Sequence, residues 1–119
     1  MSLTLLALLS TLFVALAHLG FMVLETFMWT TPTGRKIFGQ TREEAEITAV
    51  LAKNQGVYNG ALALALAYAA LMGHTETVLV LLTFVIVVGV YGAITAKGTI
   101  LFLQALPAAI ALALTFLAG

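Results

Sequence analysis

Asn54-Gln55-Gly56-Val57-Tyr58-Asn59-Gly60 carries two Asn, one Gln and one Tyr in a chain that is 62% hydrophobic. It opens directly into residues 61–72, a twelve-residue run with nothing more polar than Tyr68. A helix needs ~20 residues to cross a bilayer. Twelve fall short, so the polar heptad is expected in or against the hydrocarbon region. Its amide groups then need partners, because an unpaired polar group in lipid costs several kcal/mol. The rest of the chain is read as supplying them.

Composition sets the class. Only 8% of the 119 residues are Asp, Glu, Lys or Arg, and the mean hydropathy is +1.13. A soluble domain carries about 25% charged residues. The chain reads as one all-α integral membrane domain whose first partner is the lipid bilayer. No basic patch is large enough for nucleic acid. With no cysteine, disulfides, thiolate metal sites and thiol redox chemistry are excluded.

Four helices are expected, at about residues 3–29, 42–72, 77–96 and 99–117. No Lys or Arg precedes the first, as a secretory signal would require. Its 27 residues measure ~40 Å, longer than the ~30 Å core. It therefore tilts or ends before Trp29, and Gly20 offers a bend. Thr31-Pro32-Thr33-Gly34 reads as a turn and helix stop. Arg35-Lys36-Ile37-Phe38-Gly39 is placed near the headgroups. Thr41 with Glu44 forms a capping box, so the second helix starts near Arg42. It runs unbroken through the heptad, extended into the cytoplasm; the alternative is a separate helix lying on the membrane surface. Pro107 frees the carbonyl of Leu103 and is expected to kink the fourth helix.

Orientation follows from the basic residues. Arg35, Lys36, Arg42 and Lys53 lie in the first loop and Lys97 in the third. Four spans put both loops on one side. The positive-inside rule places segments 30–53 and 97–98 in the cytoplasm and both termini outside.

Polar residues then gather in the cytoplasmic half: Glu25 on helix 1; Asn54, Gln55, Tyr58 and Asn59 on helix 2; Tyr91 and Thr95 on helix 3; Gln104 on helix 4. His18 lies about 10 Å beyond Glu25 along its helix. Helical phase agrees, since His18, Met22, Glu25 and Trp29 share one stripe. Small residues mark second faces, Gly56, Gly60, Ala63 and Ala67 on helix 2 and Gly89, Gly92, Ala93 and Ala96 on helix 3. The expected architecture is a membrane-embedded four-helix bundle with a polar chamber open to the cytoplasm.

Each candidate has two readings. Glu25 either reaches the interface to pair with Lys53 or Lys97, or is an intramembrane acid able to hold a proton or cation. His18 is a satisfied bundle histidine, or else a ligand or proton carrier. The Asn, Gln and Tyr side chains are interhelical hydrogen-bond glue or part of a site. Trp29 reads as an interfacial anchor, and His74 with Glu76 as a solvated turn. No metal-ligand cluster or cofactor motif is present; one His and one Glu on a stripe make a poor zinc site.

His18, Glu25-Thr26-Phe27-Met28-Trp29, Phe38-Gly39, the heptad, Gly89-Val90-Tyr91-Gly92, Thr95 and Gln104-Ala105-Leu106-Pro107-Ala108 together resemble a family signature. The family is that of small integral membrane proteins catalogued as domain of unknown function 1304. The resemblance covers nearly the whole chain. It implies a bacterial-type four-span inner-membrane protein, and it implies no reaction.

Three functions fit these residues. The first is binding of a small amphipathic molecule, with amides and hydroxyls above an apolar floor. An enzymatic variant would use Glu25, His18 and Tyr58 or Tyr91 as acid and base, though no spacing demands it. The second is a proton-coupled exporter of the small multidrug kind, which shares length, span number and a lone helix-1 Glu. The third is a structural or assembly subunit, its small-residue faces meeting partners or a second copy in a homo-oligomer.

Overall fold

The computed structural model describes residues 1–119. Five α-helices and no strand make up the chain: α1 Leu3–Phe27, α2 Pro32–Phe38, α3 Arg42–Leu71, α4 Thr75–Thr95 and α5 Leu106–Ala118. A π-helical turn, Leu101–Ala105, leads directly into α5. The all-α class expected from composition holds, but there are five helices where four are expected.

Three stretches, Leu3–Phe27, Thr75–Thr95 and Leu101–Ala118, are long and apolar enough to cross a membrane. Four such spans are expected from the sequence, and α3 is the exception. It is one continuous helix of 30 residues, but its first half is hydrophilic and the heptad takes up much of the second. Its apolar run is too short to qualify alone.

The additional helix is α2. Thr31 serves as its N-cap, its hydroxyl accepting the Gly34 amide at 3.1 Å, and Pro32 sits in the first turn. There the missing proline N–H costs nothing. Gly39 ends the helix in the left-handed region, at φ 64°, with its N–H turned to the carbonyls of Arg35 and Lys36. The stretch read as a stop is thus a start. Thr41 then caps α3. Its hydroxyl accepts the Glu44 amide at 3.1 Å, and the Glu44 carboxylate accepts the Thr41 amide at 3.0 Å. This is the expected reciprocal box.

By packing, the chain divides into two compact units, His18–Ala63 and Met1–Ala17 with Leu64–Gly119. In the first, α1 and α3 approach through small residues. A Cβ on Gly56 would overlap the Thr26 hydroxyl and come within 3.0 Å of the Thr26 nitrogen. One turn on, a Cβ on Gly60 would meet Met22 Sδ at 2.5 Å. In the second unit a Cβ on Gly89 of α4 would lie 3.0 Å from the Ala105 nitrogen. The π turn is therefore pressed against α4. Its Leu106 N–H reaches back five residues to the Leu101 carbonyl. This wider turn precedes Pro107 and absorbs the break expected at that proline.

Nine of the fourteen buried apolar residues are alanine, whereas Phe13, Phe84, Phe102 and Phe116 are exposed. That distribution suits packing in lipid. Small side chains let helices close on one another, and bulky ones face acyl chains without penalty.

Replacing Gly56 with Ala is expected to lower stability by about 1–3 kcal/mol, the usual cost of overpacking. Thermal unfolding in detergent reads it. Gly20→Ala is the control, since nothing lies within 4 Å of a Cβ there; its midpoint should not fall. Glu44 gives a pH prediction. Hydrogen bonds from the Thr41 backbone and then its side chain hold this carboxyl below the ordinary range. A carboxyl held lower in the folded chain stabilises it above the unfolded pKa, and the gain disappears as pH falls through the folded value. Protection of the amides in the first turn of α3, measured against their intrinsic exchange rates, should therefore decline on acidification below about pH 4.5. In Glu44→Gln that dependence should disappear.

Candidate polar site on helices 1 and 3

The candidate site lies within the His18–Ala63 unit, where the last turns of α1 meet the heptad of α3. Gly56 and Gly60 bring the two backbones together, and the side chain between those glycines, Asn59, reaches α1. Its amide donates to Glu25 Oε1. Both residues are half-buried. The partner that the structure gives Glu25 is thus Asn59 rather than Lys53. An ion pair is formed by Arg42 and Glu46, at 3.1 Å on the exposed start of α3. A carboxylate has two acceptor oxygens. Asn59 occupies Oε1, which leaves Oε2 for another donor.

The remaining heptad residues divide between two faces. Gly56 and Gly60 are buried, while Asn54, Gln55 and Tyr58 are exposed. The small face makes the packing contact and the polar face points outward. His18 is buried, its ring edge-on to Phe21 at 5.1 Å between centroids. Tyr91, Thr95 and Gln104 belong to the other unit. Tyr91 and Thr95 are exposed, and the Thr95 hydroxyl donates to the Tyr91 carbonyl at 2.8 Å. Gln104 is half-buried in the π turn.

Trp29 is more than an anchor. Its indole N–H donates to the Thr48 hydroxyl at 3.0 Å, and that hydroxyl donates to the Glu44 carbonyl at 2.8 Å. Its ring packs on Phe38 of α2, with centroids 4.6 Å apart. The aromatic pair and the threonine join the α1 exit, α2 and α3 beside Glu25. Thr48 is absent from the sequence-based candidates. It sits in the hydrophilic turns of α3, where no periodicity marks a threonine with a partner 19 positions away. Thr26 is also missed. Its hydroxyl is buried without a hydrogen-bond partner where Gly56 closes on it.

Chemically the arrangement offers a carboxylate positioned by an amide, with exposed amide and phenol groups on the same helix. It can orient a ligand that brings a hydrogen-bond donor or a positive charge.

No solved structure matches the chain. The uncharacterised protein YpaA of Lactococcus lactis subsp. lactis (strain IL1403) is 38% identical over 117 residues, covering 95% of this chain and 98% of that protein. Residues 12–116 match a family whose description is Protein of unknown function (DUF1304). The match takes in α2, α3 and α4 whole and most of α1 and α5, and the chain belongs to that family.

Proposed function

We propose that this chain is a small polytopic inner-membrane protein that binds a small amphipathic molecule at a polar face turned to the cytoplasm. Glu25 orients the ligand, Asn59 holds Glu25, and Asn54, Gln55 and Tyr58 supply further polar contacts. His18 closes the apolar side. The observation that carries this reading is the Glu25–Asn59 hydrogen bond. It holds a half-buried carboxylate in place through one oxygen and leaves the other to a ligand. Intramembrane acids of this kind mark binding and ion sites by default.

In this reading α3 is the fourth span, beginning within the heptad. Its close approach to the last turns of α1 supports that, because α1 is itself apolar enough to cross. The basic residues then lie on one side and both termini on the other. The tight contact at Gly56 and Gly60 also favours a second reading, a structural subunit whose polar groups serve packing.

Topology is tested by Glu43→Cys and Glu76→Cys, both at exposed positions. Impermeant thiol reagents should label them from opposite sides. Labelling from one side removes the fourth span. Binding is tested by native mass spectrometry of protein extracted gently from its own membrane, with and without Glu25→Gln. A co-purifying molecule should fall at least tenfold in the variant while the thermal midpoint stays within a few degrees. Equal retention in both proteins, or a bare mass in both, would leave the structural reading.

A further inference from the structure

Thr11 and Thr115 pose a problem within the unit formed by Met1–Ala17 and Leu64–Gly119. Thr11 is 1% exposed and Thr115 is 8% exposed. The hydroxyl oxygen of each has no hydrogen-bond partner. A threonine inside a helix ordinarily satisfies its hydroxyl by donating to the carbonyl four residues back. This chain does so elsewhere: Thr83 donates to Leu79 at 2.7 Å and Thr95 to Tyr91 at 2.8 Å. Thr48 donates to Glu44 in the same way. Thr11 and Thr115 do not. A buried hydroxyl with no partner is unfavourable, so two in one region call for an account.

Both residues line one cavity of about 290 Å³. It lies where the start of α1, the end of α3, the start of α4 and the end of α5 come together. Thr4 and Thr75 also line it, so four hydroxyl-bearing residues surround the space. The remaining lining is apolar or glycine, with Leu8 and Val78 the largest side chains. No charged side chain lines it. The volume lies just under the ~300–1,000 Å³ range of small-molecule sites, which suits a small ligand.

We propose that this cavity is a binding site for a small uncharged molecule that presents a hydroxyl or carbonyl group on an apolar body. Thr11 and Thr115 each offer one donor and two acceptor lone pairs, so they can hold either group. With no charged side chain in the lining, the threonine hydroxyls are the side-chain groups that can meet the polar part of a ligand. The alanine, leucine and valine walls take the apolar part. The same chemistry is carried by a free alcohol and by the glycerol head of a monoacylglycerol in the bilayer.

The test uses the full chain in phosphatidylcholine nanodiscs with 13C-labelled threonine methyls. Benzyl alcohol, toluene and monooleoylglycerol are titrated separately, and the methyls of Thr4 and Thr75 are read. Either hydroxyl probe should give saturable shifts. Toluene should bind at least tenfold more weakly than the probe that saturates. Saturation by benzyl alcohol identifies a freely diffusing ligand class; saturation by monooleoylglycerol alone identifies a bilayer lipid. Thr11→Val combined with Thr115→Val keeps the shape and removes both hydroxyls, and should weaken binding at least tenfold. Thr11→Ser with Thr115→Ser should stay within about threefold of the parent. Three results would overturn the proposal: toluene binding as tightly as the hydroxyl probe that saturates, shifts from both hydroxyl probes that rise without saturation, or full binding in the double valine variant. The toluene comparison needs only the unaltered chain, so it stands even if the variants do not fold.

Discussion

A single backbone approach, with no room for one methyl group, underlies the candidate site. Gly56 of α3 lies against Thr26 of α1. At that separation the residues one turn along fall into reach, and Asn59 meets the carboxylate of Glu25. A side chain at position 56 would push the helices apart and leave both polar groups seeking other partners. The hydrogen bond is thus a consequence of the glycine, and so is the orientation of the free carboxylate oxygen.

The same economy of side-chain volume recurs at Gly89, where the π turn presses on α4. In water, burial of large apolar side chains drives helix association. In lipid that drive is missing, and close van der Waals packing replaces it. An interior made mostly of alanine, with phenylalanines outside, is what such packing produces. It also explains why the orphaned hydroxyls of Thr11 and Thr115 are conspicuous, since little else in that interior is polar.

The features legible in the sequence were those with local rules. The Thr41–Glu44 box reads directly from its three-residue spacing, and the run from Arg42 to Leu71 contains no proline and no breaker but Gly56 and Gly60. The class follows from composition alone. The helix Pro32–Phe38 was hidden because seven residues are too few to show a period. Thr31-Pro32-Thr33-Gly34 satisfies the rules for a turn as well as those for a cap. The heptad presented two regular faces, one of amides and one of glycines, and phase alone could not say which would pack. The structure buries the glycines and leaves Asn54, Gln55 and Tyr58 exposed. Whether a threonine bonds its own helix depends on its rotamer, which no spacing encodes. That is why the sequence places Thr115 on one face of its helix with Gln104, Ala108 and Ala111 but gives neither it nor Thr11 a role beside the louder His18 and Glu25.

Trp29 is the chain's single tryptophan. Its indole is hydrogen-bonded to Thr48 and stacked obliquely on Phe38. Under excitation that selects tryptophan over the three tyrosines, the emission of the whole protein therefore originates at one joint, the clasp between the exit of α1, α2 and the hydrophilic turns of α3. Any event that loosens that joint is visible in the colour and polarisation of the emitted light without a label, and any event confined to α4 and α5 is dark.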